Sequence, residues 1–337
     1  MKKKLQKSIL VFSISIIASL GVYAQDPHFS QFYANPIYLN PALTGETECG
    51  RINLNYRNQW PSLGKAFITY SATYDQSVPV INSGVGVSFV ADQMGDGGAL
   101  SRNYISGFYA YNLQVSESVV VNAGFQGTFI QESLNWSELI FEDQINPGNG
   151  SINPSSLESP PSDLDKSFID FSAGLMLGYL DKFYGGLAVH HLTEPTDGFY
   201  EGSDSKIHMK ITVHGGTNIN LSTGSFGMGS DEELTFSPNI LYQQQDVFQE
   251  LNLGGYFTKY PFVGGVWYRH AFENPDAAVV LFGIKQPRYR IGYSYDFSLS
   301  ELSNISGGAH EISFAWHFCV YSGEKRRKIR AIKSPTF

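Results

Sequence analysis

The chain alternates over most of its length. In Arg51–Trp60, RINLNYRNQW, one parity carries Ile52, Leu54, Tyr56 and Trp60, and the other carries Arg51, Asn53, Asn55, Arg57 and Gln59. Ser118–Ile130 sets Asn122, Gly124, Gln126 and Thr128 against valines and phenylalanines. Tyr289–Leu299 sets Arg290, Gly292, Ser294 and Asp296 against tyrosines. A strand keeps such faces apart because its period is two, whereas a helix would mix them. Read at this period, the chain predicts about fourteen strands, from 51–60 and 65–75 through 183–191 and 207–220 to 288–299 and 310–320. Bacterial single-chain barrels have an even number of strands, which favours fourteen over thirteen.

The joins are uneven. At one end lie Asp92–Ser101, Glu132–Lys166, Leu192–Lys206 and Glu301–Ala309; at the other are tight turns such as Ser116-Glu117, Asp181-Lys182 and Tyr260-Pro261. Leu221–Glu233 is a long join on the short side. Short periplasmic turns and long extracellular loops are the outer-membrane pattern. A soluble β-sandwich is the competitor, but its outer faces would be charged. Here the polar faces hold Asn, Ser, Thr, Gln and Gly, and the opposite faces carry Tyr and Trp near strand ends, as a polar lumen and interfacial belts require. The fold expected is an all-β, up-and-down antiparallel transmembrane barrel in the outer membrane, with long loops outside. Both mature termini are expected on the periplasmic side or within the lumen. His310–Phe318 ends the series with an apolar face closing on Phe, like a terminal-strand assembly signal.

Composition narrows the picture. Residues 1–24 combine a basic start, the apolar run Ile9–Leu20 and a small residue before Gln25, which reads as a secretory signal peptide. No later run supplies the roughly 20 apolar residues of a helical span. Removing the four leader lysines leaves 19 Lys+Arg against 31 Asp+Glu, a formal net charge of −12. That excludes a general nucleic-acid binder. Cys49 and Cys319 are the two cysteines, too few for a disulfide scaffold. Closing the barrel would make them neighbours with inward parity, which permits a bond.

Between the leader and the first strand, residues 25–50 are broken by Pro27, Pro36 and Pro41 yet rich in Phe, Tyr, Ile and Leu. Proline disfavours a strand or long helix there, and the apolar content argues against a solvated linker. A fourteen-strand lumen needs filling or becomes a channel. The segment is therefore expected to plug the barrel of residues 51–320, with Asn35 and Asn40 tied to wall groups. Asn55, Arg57 and Gln59 should face inward, and Tyr56 and Trp60 outward near the external belt. Arg57 should pair with lumen carboxylates or cap carbonyls of the plug.

QDPHFSQFYANPIYLNPALTG, followed by NYRNQWP (Asn55–Pro61), resembles the PorP/SprF family of type IX secretion outer-membrane proteins of Bacteroidota. The similarity includes Asn35, Pro36, Asn40, Pro41, Ala42 and Gly45 of the first motif, and it extends to the closing strand GGAHEISFAWHF (Gly307–Phe318). Asn40-Pro41-Ala42 is also similar to a short element of fatty-acid-transporter-like barrels. The resemblance implies a plugged barrel that works with the type IX machinery in secretion or gliding motility. Implied partners are a periplasmic ring protein and a large surface adhesin with a C-terminal sorting domain. The family often has Cys-Pro near its end where this chain has Ser334-Pro335, so any family thiol role for the tail is in doubt.

Chemistry adds little. There is no nucleophile elbow, zinc-protease helix motif or phosphate loop. ADQMGDGG (Ala91–Gly98) lacks the spacing of a calcium loop. His190 and His208 share lumen parity, with His191 pointing the other way, but no third metal ligand accompanies them. The acids of two outer loops, Glu194, Asp197, Glu201 and Asp204 in one of them, read as a solvated face or a contact with a partner or lipopolysaccharide. No enzyme and no cofactor is expected. The expected role is docking of secretion machinery or an adhesin in outer-membrane lipid; the alternative is a gated transporter for a small ligand, hydrophobic ones included. Residues 321–337 form a basic periplasmic tail, in which Lys325, Arg326, Arg327, Lys328, Ile329, Arg330 and Phe337, together with Ile332, are the candidate docking residues.

Overall fold

The computed structural model describes residues 26–47, 49–63, 67–180, 182–221, 234–272, 275–299, 305–318 and 332. The leader, most of the Leu221–Glu233 join, Cys319 and the basic tail apart from Ile332 lie outside the described residues.

Fourteen strands follow one another: β1 (Gly50–Gln59), β2 (Phe67–Val78), β3 (Ser83–Met94), β4 (Leu100–Gln114), β5 (Val119–Leu134), β6 (Asp165–Tyr179) and β7 (Phe183–His190). After these come β8 (Lys210–Thr217), β9 (Leu234–Gln245), β10 (Phe248–Lys259), β11 (Phe262–Ala271), β12 (Pro275–Lys285), β13 (Tyr289–Ser298) and β14 (Ala309–Phe318). Ile219–Asn220 briefly continues β8 along β9. Each strand pairs antiparallel with its neighbours in sequence, and β14 returns to pair with β1, from Gly50 opposite Phe318 to Gln59 opposite Ala309. The sheet therefore has no free edge. It is a closed barrel.

Burial follows the sequence period. Arg51, Asn53, Asn55 and Arg57 are buried on β1, while Leu54 between them is 45 % exposed. The same alternation exposes Phe89, Ile105, Phe125, Leu175, Val266 and Phe282 around the ring. In water this outer band would be unstable, and in lipid it is the required surface. Among the described residues no helix is long and apolar enough to cross a membrane. The long connections, 135–164 and 191–209 among them, share one end of the barrel, as expected from their spacing. Strand eight departs from expectation at its start. It begins at Lys210, three residues late, because Ile207 turns into the mouth and packs with Val90, Tyr104 and Ile130.

Candidate functional site

The interior is organised around residues 26–47. Its prolines keep this stretch out of the sheet, and it folds into two 3-10 turns, Phe32–Ala34 and Pro41–Leu43, around an α-turn at Pro36–Leu39. Phe29, Phe32, Tyr33, Ile37, Leu39 and Leu43 are each at most 5 % exposed. Phe32 meets Trp267 edge-on with ring centroids 5.4 Å apart, and Tyr33 meets Tyr184 and Tyr256 at 6.2 and 6.4 Å. An irregular buried backbone needs partners beyond its own turns. The inner wall supplies them in four places.

The first is a charged clasp on Ser30-Gln31. Arg57 of β1 stands opposite Glu311 of β14. Its guanidinium donates to Ser30 Oγ at 2.7 Å and to Asp296 at 3.1 Å, and lies 3.4 Å from Glu311. Arg269 donates to the same Ser30 Oγ at 2.8 Å and to Asp296 at 3.2 Å. Ser30 Oγ donates its own hydrogen bond to Asp296 at 2.5 Å, while the N–H groups of Ser30 and Gln31 donate to Glu311 at 2.7 and 3.2 Å. Two cations and two anions, none with a side chain more than 4 % exposed, thus balance one another. Burying either sign alone would cost several kcal/mol per ion, roughly, so the set has to be complete.

The second is at Asp26. Its carboxylate accepts from Lys210 Nζ at 2.6 Å and from His191 Nε2 at 2.9 Å, and His191 Nδ1 meets Asp170 at 2.8 Å. Strict alternation sends His191 away from the lumen. The structure corrects this: His191 takes a left-handed φ of 58°, which turns its ring inward just past the end of β7. Burial disfavours its cation, but Asp26 and Asp170 outweigh burial and push its pKa up to about 9. Burial likewise opposes ionisation of Asp26, yet His191 and Lys210 hold its carboxyl well below the usual range.

The third is the Asn35–Ala42 stretch. Asn35 Nδ2 donates to Ser71 Oγ at 2.9 Å. Pro36 opens the α-turn. Asn40 Oδ1 accepts from the Ala42 N–H at 2.9 Å, and its Nδ2 donates to the carbonyls of Leu175 and Leu187 at 3.2 and 3.3 Å. Pro41 and Ala42 lie so close to β5 that a Cβ at Gly124 would collide with their backbone, and one at Gly174 would collide with Asn40 Oδ1. The fourth is Gly45, at φ 67°, whose N–H donates to Asp75 at 2.8 Å while Arg51 grips the same carboxylate at 2.9 Å.

Of the wall residues read from NYRNQWP, Asn55 is buried facing inward and its amide meets no hydrogen-bond partner among the described residues. Tyr56 faces outward beside Tyr70 at 5.2 Å, and Gln59 accepts from Arg57 at 3.1 Å. Trp60 does not continue the alternation. Its φ of 59° turns it against Phe67, and it lines a cavity at the long-connection mouth rather than a lipid-facing belt. That cavity measures about 350 Å³ and is floored by the N-terminal segment.

Most acids of the outer connections are exposed, Glu158, Glu201 and Asp204 among them, as a solvated face requires, but one departs from it. Asp197 is buried and accepts from Arg102 at 2.7 Å, and Arg102 also holds Glu132 at 2.8 Å. Glu194 pairs with Lys206 at 2.8 Å nearer the surface. His208 stands in the connection before β8, not beside His190 on a strand, with Glu194 at 3.7 Å and Asp246 at 3.9 Å. Asp96–Gly98 is a short turn with left-handed φ at Gly97. No group of three metal-ligating side chains occurs among the described residues.

At the opposite end Cys49 is disulfide-bonded. Ile332 is 4 % exposed and packs where a Cβ on Gly178 would meet it at 3.0 Å. It is buried inside the barrel and so not presented to a partner, which removes it from the docking face expected of the tail.

These features define a class: a closed, fourteen-stranded antiparallel barrel of the outer-membrane type. The sequence profile of the type IX secretion system membrane protein PorP/SprF family matches residues 21–316, and the chain belongs to that family. Among solved structures it is similar to the CymD monoaromatic hydrocarbon channel, with 12 % identity, TM-score 0.45, and 89 % of this chain and 95 % of that one covered. It is also similar to a FadL homologue from Pseudomonas aeruginosa, with 14 % identity, TM-score 0.42, and coverage of 83 % and 93 %. No curated protein matches the chain.

Proposed function

We propose that this protein is a non-enzymatic outer-membrane component of type IX secretion or gliding motility, plugged by residues 26–47, that docks the machinery, a surface adhesin, or both. The observation that supports this reading is the filled lumen. The N-terminal segment is bonded to strands around the ring, including β1, β2, β6, β8, β13 and β14, which suits a scaffold better than an open pore. In this reading the long connections face the outside, against lipopolysaccharide and cargo, and the termini face the periplasm. Planar-bilayer recording tests the plug. The full chain should be silent, and deletion of 26–45 should conduct while still migrating as a heat-modifiable barrel. Porin-like conductance by the full chain would overturn the plug. Crosslinking in the membrane fraction tests docking: recovery of neither a ring protein nor a sorting-domain adhesin would retire it.

A gated transporter is the second reading, and the 350 Å³ cavity is what favours it. A closing lumen cavity that delivers a ligand across the barrel should show uptake that depends on Trp60.

Two finer assignments belong to the first reading. Gly50 pairs with Phe318, and the chain has one other cysteine, so we take Cys319 as the partner of Cys49. Non-reducing peptide mass analysis should recover the linked pair, and two free thiols would reject it. The basic residues from Lys325 to Arg330, with Phe337 as an apolar end, supply charge for an acidic groove on a periplasmic ring protein. Truncation after Gly323 should keep the barrel folded and lose salt-sensitive ring association; undiminished association would move the docking surface to the turns.

A further inference from the structure

We propose that the cavity at the long-connection mouth is a binding site for a short neutral saccharide. This goes beyond docking and stands whether or not the docking reading holds. Three observations carry it. The first is size: about 350 Å³ lies within the range of small-molecule sites, roughly 300–1,000 Å³.

The second is charge. The cation that lines the cavity is already matched within the wall, Lys210 with Asp26 at 2.6 Å, while Glu250 lies 3.7 Å from Arg269, which it shares with Asp296. An anionic ligand would have to take Lys210 from Asp26 and lie near Glu250, at a cost that a neutral one avoids.

The third is the pairing of amides with rings. Gln59, Gln243, Gln245 and Gln249 line the cavity together with Tyr38 and Trp60. A carboxamide both donates and accepts, as a sugar hydroxyl does. Gln59 spends its carbonyl oxygen on Arg57, which leaves its NH2 as a donor. Gln243 spends its NH2 on Thr212 at 3.2 Å, which leaves its carbonyl as an acceptor. Tyr38 spends its hydroxyl on the Pro27 carbonyl at 2.7 Å and lies beneath Lys210, so Trp60 is the ring that suits the C–H face of a pyranose, which is apolar on one side and hydroxylated at its rim. Gln245 is already bonded through both ends of its amide, to Asp26 and the His208 carbonyl. A purely apolar ligand would still strand the free NH2 of Gln59 and the free carbonyl of Gln243, and burying unpaired polar groups costs about 1–3 kcal/mol each.

The full chain, held in a detergent without a sugar head group, should be applied to an array of neutral and acidic glycans, with indole titrated in parallel as an aromatic probe. Neutral glycans should be retained, acidic ones should not, and Gln243→Trp, which fills the cavity, should reduce retention at least tenfold. Heat-modifiable migration checks that this variant is folded, and Trp60→Ala provides a second variant expected to lose retention. Absence of any glycan signal above the detergent blank, retention of acidic glycans alone, or unchanged retention in a folded Gln243→Trp would each overturn the assignment. Binding of indole without glycan would show an apolar site in its place.

Discussion

At one level of β4–β7 the inner wall is bare, whereas across β11, β13, β14 and β1 the wall that meets the segment is charged. On the bare side, Ala110, Gly124, Gly174 and Ala188 stand opposite one another at one level of four consecutive strands. This row of small residues is a shallow trough, and Asn40-Pro41-Ala42 lies in it. On the charged side, Arg57, Arg269, Asp296 and Glu311 close on Ser30-Gln31. One face holds the segment by shape and the other by electrostatics. Shape fails abruptly when volume is added and ignores pH. Charge fails when one partner is removed, because the others are left buried and unbalanced.

The largest test of this division is Arg57→Met. Removing one member of a buried ion set costs about 3–5 kcal/mol, which corresponds to a loss of hydrogen-exchange protection of two to three orders of magnitude, roughly, at the Ser30 and Gln31 amides. The Ala42 amide, tied to Asn40 on the bare side, should change far less. Equal loosening of both would mean that the two faces act as one cooperative unit. Next in size is Gly124→Val. Overpacking costs about 1–3 kcal/mol, and here the collision is with backbone, which cannot rotate away. Protection at Ala42 should fall by roughly one to two orders of magnitude, and the Ser30 clasp should persist. Full protection at Ala42 in that variant would show that the trough is not in contact in solution.

The two faces were also unequally legible in the sequence. Strand number and the inward parity of Arg57 follow from a period of two, because every strand has one wet lumen face and one lipid face. The bare trough was available in principle: Gly124 and Gly174 have lumen parity, and strand register makes them neighbours. Glycine among polar lumen residues marks a close backbone approach. The charged clasp was only half visible. A lone inward arginine calls for an acid, but its partner Asp296 is 239 residues away, and nothing local selects it. Trp60 and His191 were misread for one shared reason. Each takes a left-handed backbone step just past a strand end, where alternation stops predicting direction. Connection residues such as Asp197 and Ile207 have no period at all, so their insertion into the mouth had no sequence signal.

The smallest expected effect sharpens the comparison by pH, through the Asp26 tether. His191 has a folded pKa of about 9, above its ordinary 6.5, so its contribution is fully present below the ordinary value and is lost as pH rises through about 9. Asp26 has the opposite sign: its contribution is present above the ordinary carboxylate range and is lost only as pH falls through a value well below 3.8. Between those limits the tether should be constant. Above about pH 9, neutral His191 still accepts or donates one hydrogen bond but no longer balances Asp26 and Asp170, while Lys210 keeps its contact with Asp26 at 2.6 Å. The loss is therefore partial, and three other attachments hold the segment. Proteolytic sensitivity near Asp26 should rise severalfold between pH 8 and about pH 10, with no matching change at Ala42, whose contacts in the trough involve no titrating partner on that side except His214 beside Asn40. His191→Gln should abolish the pH step while keeping a hydrogen bond to the carboxylates. A step of the same size in that variant would remove His191 from the tether.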